Sequence, residues 1–421
     1  MRIVIAALIL MAGLSFGGAF WMVFKGRDAD DRRPSAAEQQ AAARDKAKTK
    51  PPSEQGPPAD PKPVASAKSP AAAPPAATLP SDKPAPVQTV PSRPTPSPAA
   101  QITATPEPAA QPSPFPLALP IDCSPGETCW VINHVDLDPG PGRRDYRCGQ
   151  MSYDGHKGTD IALRNLAHLN DNVPVLAAAP GKVVGVRDGM ADVSIAVAGR
   201  ESVRDKECGN GVRVQHEGGW ITQYCHMKRG SMAVQTGQTV ATGQRLGAVG
   251  LSGMTEFPHV HMTVEKDGKV IDPFRGTDGG PECGRGTAPL WNAEALSRLV
   301  DHAPILLDAG FGTGPVEKAD AEAGTAGRDT APGNADALVI WTRAAGLEPG
   351  DTLTTTITSP DGSRLFSERW RSDQTRIVQF RFVGKKRPPG GWQTGTYTGR
   401  VVLERDGRPP KEQTLFIRVG G

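Results

Sequence analysis

The hydrophobic pattern of the chain changes character three times. Residues 3–24 are apolar almost without interruption, Ser15 being the one conventionally polar side chain. Such a run is long enough to cross a bilayer as a helix. Trp21 and Phe24 stand at its far end like interfacial anchors, followed by Lys25 and Arg27. The pattern predicts an uncleaved transmembrane signal-anchor over residues 1–26. A cleaved signal peptide is the rival, but its apolar core is shorter and a small-x-small site follows it. Here Gly17-Gly18-Ala19 runs straight into Phe20 and Trp21. Hydrophobic positions then nearly vanish. Residues 27–116 are mostly Ala, Pro, Ser, Lys and Thr, with no aromatic before Phe115. This composition cannot bury enough apolar area to offset chain entropy, and its prolines favour polyproline II. A disordered Pro/Ala-rich linker is predicted, with a reach on the order of 250 Å at about 3.1 Å per residue.

Alternation at period two begins after this linker. VPVLAAAPGKVVGVRDG, ADVSIAVAG, GNGVRVQHEGGWITQYCHM and PHVHMTVEKDGKVIDPF all read as β-strands. Glu217-Gly218-Gly219 and Asp267-Gly268 read as hairpin turns, and glycines at 237, 243, 247 and 250 imply tight turns between short strands. A compact antiparallel β catalytic domain is predicted over 117–290. A short helix is expected at 292–300, capped by Asn292, with a flexible loop filling the rest of 291–336. Alternation returns at 337–421, with hairpins turning at Asp361-Gly362 and Asp406-Gly407, which predicts a small β-sandwich-like domain. The fold class is therefore mainly β.

Composition narrows the function. The net charge of +3 and the absence of a dense Lys/Arg run argue against nucleic acid as a partner. All six cysteines lie between Cys123 and Cys283. An even number in one segment, without a CxxC pair, points to disulfides and an oxidising compartment; the spacing selects no particular pairing. Positive charges on both sides of the N-terminal segment leave its orientation open. The cysteines place the chain beyond that segment on the exported side.

Candidate chemistry concentrates in three strings, GHKGTD, QYCHM and PHVHM. On a strand, His259 and His261 share one face. His156 and Asp160 lie in a glycine-split turn leading into a strand, and His226 ends another. Imidazole and carboxylate both suit zinc, and two histidines with one aspartate would leave a fourth position for water. Spacing alone does not decide which histidine of the HxH pair would be a ligand. His134, His168, His216 and His302 lack such partners and read as structural.

GHKGTDIAL, QYCHM, TGQTVATGQRLGAVGLSG and PHVHMTV, in this order, resemble the lysostaphin-like (LytM-type) zinc metallopeptidases, which cleave peptide cross-links of bacterial peptidoglycan. The likeness covers roughly residues 150–275, about a third of the chain. It implies that His156, Asp160 and His261 bind one Zn2+ and that His226 and His259 form an unliganded catalytic pair. His259 would act as general base, and His226 would donate a hydrogen bond to the developing oxyanion. The expected partners are peptidoglycan, the inner membrane through the N-terminal helix, and a regulatory protein partner, since an ungated wall hydrolase endangers its cell. The expected place is the periplasmic side of the envelope. Three features depart from the family pattern: Cys225 before a catalytic histidine, Glu256-Phe257 before Pro258, and the cysteine-bearing lead-in from Cys123 to Cys148. A disulfide at Cys225 would stiffen the strand end, and Glu256-Phe257 would reshape a groove wall. A catalytically silent scaffold or activator is the alternative, and all five positions being filled argues against it. A lipoyl- or biotinyl-type carrier hairpin at 237–250 would need an acceptor lysine at its tip, and there is none.

Overall fold

Most of the period-two alternation between Thr159 and Val270 joins one antiparallel sheet in the computed structural model, which describes residues 113, 115–280, 282–299 and 303–420. The expected signal-anchor, most of the linker and His302 lie outside the described residues. Among those described, no helix is long and apolar enough to cross a membrane.

The strands of the first half are β1 (Cys129–Asn133), β2 (Thr159–Leu163), β3 (Pro174–Leu176), β4 (Gly181–Arg187), β5 (Asn210–Gln215), β6 (Trp220–Met227), β7 (Thr239–Val240), β8 (Arg245–Ala248), β9 (His259–Lys266) and β10 (Lys269–Val270). The main sheet runs β1-β2-β9-β6-β5-β4-β7, with β10 added to β9, and β3 pairs with β8 separately. Register decides what the sheet can do. Asp160 on β2 sits directly opposite His261 on β9, and Cys225 on β6 lies opposite His261 from the other side. Three adjacent strands therefore bring the candidate chemistry to one place.

The core below is built by the inward set of the same strands, including Ile161, Val212, Val214, Tyr224, Val260, Met262 and Val264. Burying an aliphatic side chain of this size stabilises by roughly 1.5–3 kcal/mol. Tyr224 can be fully buried because its hydroxyl accepts the Ala178 N–H at 2.8 Å. Phe115, assigned to the linker on composition, is buried and stacks on Trp220 at 4.7 Å, so the folded part includes the linker's last aromatic position.

The cysteines pair as Cys123–Cys129, Cys148–Cys283 and Cys208–Cys225. One expected strand is absent. The string ADVSIAVAG contains a short helix, α1 (Ile195–Ala198), in place of a strand. Ser194 caps it by accepting the Ala196 N–H at 3.2 Å, and Gly199 ends it at φ 78°. The local cap and stop override an alternation too short to find a partner strand.

The expected helix near 292–300 is α2 (Ala293–Leu299), with the Asn292 carboxamide accepting the Ala295 N–H at 2.7 Å. The rest of 291–336 is more ordered than the flexible loop its composition suggests. It holds β11 (Ile305–Gly312), α3 (Lys318–Ala323) and β12 (Thr330–Ala331). The remaining strands are β13 (Ala337–Leu347), β14 (Thr352–Thr358), β15 (Arg364–Arg371), β16 (Arg376–Lys386), β17 (Gly395–Glu404) and β18 (Lys411–Val419). They form two sheets, β11-β13-β16 and β12-β18-β17-β14-β15, around a core that includes Phe311, Ile340, Ile357, Tyr397, Val401 and Ile417. β11 is therefore an integral sandwich strand, and the sandwich begins before residue 337.

The two halves meet in an apolar cluster. Trp130, Ile132 and Ala162 from β1 and β2 pack with Ile305, Leu307 and Ala345 from β11 and β13. A buried ion pair, Arg343–Asp308 at 3.2 Å, joins this junction, and Asn165 donates to the same Asp308 oxygen at 3.1 Å.

Candidate metal centre

Asp160 is fixed from behind before anything in front of it is considered. Asn133 stands opposite it on β1 and donates its Nδ2–H to Asp160 Oδ2 at 2.9 Å. The other oxygen, Oδ1, faces His261 Nδ1 at 2.8 Å and His156 Nε2 at 3.1 Å. The two imidazole nitrogens are 3.1 Å apart. His156 reaches this point from the turn before β2, where Gly155 takes φ 74°. Gly158 is required for a different reason: a Cβ there would lie 2.6 Å from His261 Nε2 and 2.8 Å from the Met262 carbonyl.

Hydrogen bonds on the far side of each ring define what faces inward. His156 Nδ1–H donates to the His134 carbonyl at 2.7 Å, which leaves a lone pair on Nε2 of the neutral ring. Thr263 Oγ1, 3.0 Å from His261 Nε2, can accept that ring proton and leave Nδ1 free. In this arrangement three lone-pair atoms converge with no proton between them. A cation answers such a set. Tetrahedral zinc bonds of about 2.0–2.1 Å imply ligand separations of roughly 3.3 Å, close to those found here. The His–carbonyl and carboxylate–amide contacts behind the three atoms are the usual outer supports of a metal site. His156, Asp160 and His261 could thus hold a metal ion together.

His226 and His259 complete the cluster. Their rings lie 4.6 Å apart, and His226 is 5.8 Å from His261. His259 Nε2 is 3.5 Å from Asp160 Oδ1. His226 Nδ1–H donates to the Ser252 carbonyl at 2.8 Å, and His259 Nδ1–H to the Phe257 carbonyl at 3.0 Å. Both rings therefore turn Nε2 toward the centre. His226, His259 and His261 form a second trio of possible ligands, so geometry alone leaves His261 common to two sets. All five residues expected from the sequence are brought together.

His226 is held in a left-handed conformation, φ 61°, which costs a non-glycine residue of order 1–3 kcal/mol. Its N–H donates to the Cys208 carbonyl at 2.8 Å, and its own carbonyl accepts the Gly250 N–H at 3.0 Å. The Cys208–Cys225 disulfide ties the same two segments together one residue away. The departure at Cys225 is thus the covalent brace of the strand end that carries His226.

Electrostatics separate the groups. Burial, the largest influence on Asp160, would raise its pKa, but the His156 and His259 imidazoles outweigh it and hold the carboxyl well below its ordinary range. Burial lowers His261, against the pull of Asp160. His156 moves upward because the Asp160 charge and hydrogen bond overcome its burial. Burial, then His259 and His261, hold His226 well below its ordinary value. A neutral His226 whose Nδ1 proton is committed to Ser252 presents an acceptor at Nε2. The expected donation from His226 to an oxyanion therefore requires that ring to gain a proton first.

Sequence reasoning missed the supports: Asn133, the His134 carbonyl, Thr263, and Tyr153, whose ring lies 4.4 Å from that of His156. Asn133 left one signal, a polar residue at the end of the apolar run CWVIN.

Residues 154–273, which include all five clustered side chains, match the sequence model of peptidase family M23. Over these residues the chain matches the M23 peptidases, the family that its motifs resemble. The region is 31% identical over 121 residues to the cell division protein DipM of Caulobacter vibrioides, covering 27% of this chain and 18% of DipM. It is 28% identical over 120 residues to the peptidoglycan DD-endopeptidase ShyA of Vibrio cholerae, covering 28% of this chain and 22% of ShyA. The chain thus spans about a fifth of the length of these curated relatives. Among solved structures, it is similar to the catalytic domain of the prophage-encoded M23 protein EnpA from Enterococcus faecalis, at 23% identity and TM-score 0.26, covering 37% of this chain and 94% of that one. It is also similar to the catalytic domain of lysostaphin from Staphylococcus simulans, at 20% identity and TM-score 0.22, covering 34% and 85% respectively. The His134 carbonyl and Asn133, which support the M23 centre from outside the matched residues, come from the cysteine-bearing lead-in.

Proposed function

We propose that the protein is a zinc-dependent endopeptidase that hydrolyses peptide cross-links of bacterial peptidoglycan. The observation that carries this reading is the convergence of His156 Nε2, Asp160 Oδ1 and His261 Nδ1 on one point, with their other polar atoms bonded elsewhere. A zinc ion held by these three atoms would supply Lewis-acid polarisation of a carbonyl and a lowered pKa for attacking water. His259, its Nδ1 proton committed to Phe257, offers the Nε2 lone pair that takes a proton from that water. His226 is a second acceptor beside it, and after gaining a proton it is the group able to donate to the oxygen or the departing amine. ShyA, by its name a peptidoglycan DD-endopeptidase, favours a D,D cross-link as the bond cut. A direct bond between D-Ala and a diamino acid fits that description and a periplasmic placement.

The anchor at 1–26 and the linker at 27–116 would hold the M23 domain on the periplasmic face of the inner membrane and let it search the wall at a distance. Purified peptidoglycan digested with the full chain, with and without a chelator, tests the proposal. Mass analysis should show loss of one defined cross-link, and the chelator should prevent it. Absence of chelator-sensitive cleavage would sink the hydrolase reading and leave the silent scaffold.

A further inference from the structure

His259 is held by a residue that the metal centre does not itself contain. The Phe257 ring lies 4.6 Å from the His259 ring, tilted by 33°. The Phe257 carbonyl accepts His259 Nδ1–H at 3.0 Å, which sets the tautomer. That carbonyl also accepts the Thr255 hydroxyl at 2.8 Å, and the Leu163 N–H donates to Pro258 O at 2.9 Å, so the segment before His259 is pinned to β2. Phe257 therefore supplies both the acceptor for the ring proton and a flat face against the ring plane.

The same side chain has a second attachment. Phe257 packs against the apolar cluster made by Trp130, Ile132 and Ala162 of the M23 half with Ile305, Leu307 and Ala345 of the sandwich. One aromatic side chain thus touches a site imidazole and the junction between the two halves. Packed interiors have low compressibility and transmit strain, so a shift of the sandwich at this junction moves Phe257.

We infer that Phe257 is a positioning residue that couples docking of the C-terminal sandwich to the orientation of His259. The sandwich is then a working part of the catalytic centre as well as a neighbour of it. The inference rests on the reading of His259 as the proton acceptor. A group displaced by about 1 Å can lose on the order of 100-fold in rate, which sets the scale of the effect.

The test uses the full chain loaded with zinc and a purified cross-linked muropeptide dimer as substrate. Phe257→Ala, Phe257→Leu and Leu307→Ala are compared for kcat, KM, zinc content and the 15N spectrum of the His259 imidazole. Phe257→Ala should lower kcat by about 10- to 100-fold, with KM within about twofold and zinc retained. Its His259 Nδ1–H resonance should shift or broaden. Phe257→Leu keeps apolar volume in the junction but loses the flat face, and should fall between Phe257→Ala and the parent protein. Leu307→Ala, which belongs to the junction, should lower kcat about threefold or more at constant KM and perturb the same resonance. An unchanged kcat and spectrum in Phe257→Ala would overturn the inference, as would a rise in KM alone or loss of zinc. Leu307→Ala indistinguishable from the parent would overturn the coupling to the sandwich. If the parent protein itself shows no turnover, the hydrolase reading fails, and the imidazole spectra still decide whether Phe257 and the junction set the His259 ring.

Discussion

The His156–Asp160–His261 cluster of the M23 half and the Arg405–Asp351 pair of the sandwich each centre on a buried aspartate, and their hydrogen-bonding logic is opposite. Asp351 Oδ1 accepts Arg405 Nε–H at 2.8 Å, and Oδ2 accepts Arg405 Nη2–H at 2.7 Å and the Glu348 N–H at 2.8 Å. Arg405 spends a further donor on the Gly346 carbonyl at 2.8 Å. Donors meet acceptors throughout, and the pair is complete within the chain. At Asp160 one oxygen is met by Asn133, while the other faces two imidazole nitrogens whose protons can be placed on outer acceptors. Burial of a charged side chain therefore does not mark a site. Lone pairs turned toward one another do, because only a cation or added protons resolve them.

The sharpest way to break this contrast is to remove, in turn, the histidine common to both possible ligand sets and one that belongs to a single set, and measure metal. His261→Ala should abolish zinc retention and turnover together, read by metal analysis of the purified chain and by peptidoglycan digestion. His259→Ala should retain zinc and lose about 10²–10⁴-fold in turnover, the usual contribution of a positioned proton acceptor. Loss of metal in His259→Ala would instead select the His226–His259–His261 trio as the ligand set.

Arg405 offers the matching experiment on the other side. Arg405→Met leaves Asp351 buried without its cation, which typically costs about 3–5 kcal/mol, and should not change zinc content. Adding Asp351→Leu removes the stranded charge and should recover a large part of that loss. Thermal or denaturant unfolding of the two variants measures it. Failure of the second substitution to restore stability would mean that Asp351 matters mainly as the acceptor for Glu348 N–H.

The contrast also explains which parts were readable from the chain alone. The HxH pair could be placed on one strand face because the period of a strand is two, and the DG turns at 267–268, 361–362 and 406–407 located hairpins from turn chemistry. Register could not be read this way. That Asp160 faces His261 across β2 and β9 depends on a contact 101 residues apart, and the role of Asn133 on another 27 residues apart. The string ADVSIAVAG alternates like a strand, yet Ser194 and Gly199 make it a short helix. β11 was hidden because its run ILLDAGFG carries Asp308, whose partners Arg343 and Asn165 come from distant segments. The sandwich offered no comparable signal of function, since its buried carboxylates Asp308 and Asp351 are each met by an arginine.

Asp272 is an intermediate case between the two sets, and it carries the smallest effect. Its Oδ1 accepts the Phe274 N–H at 2.8 Å, while Oδ2 is buried without a partner. Burial, opposed by the Phe274 hydrogen bond and Arg275, pushes its pKa from 3.8 up to about 7. Between about pH 4 and 7 the folded chain therefore holds a proton there that the unfolded chain has released, and the stability from this group is present below pH 4 and is lost as pH rises through about 7. His134, lowered to about 4 by burial, has the reverse slope between pH 4 and 6.5, because its unfolded form binds the extra proton. Overlapping slopes of opposite sign would flatten the profile of the parent protein. Asp272→Asn removes one of them while keeping an oxygen for Phe274 N–H. Its stability relative to the parent should rise by on the order of 4 kcal/mol between pH 4 and 8, measured by denaturant unfolding at several pH values. A difference independent of pH would mean that Asp272 is ionised in the folded chain, with its buried oxygen met by a donor, and it would then belong with Asp351.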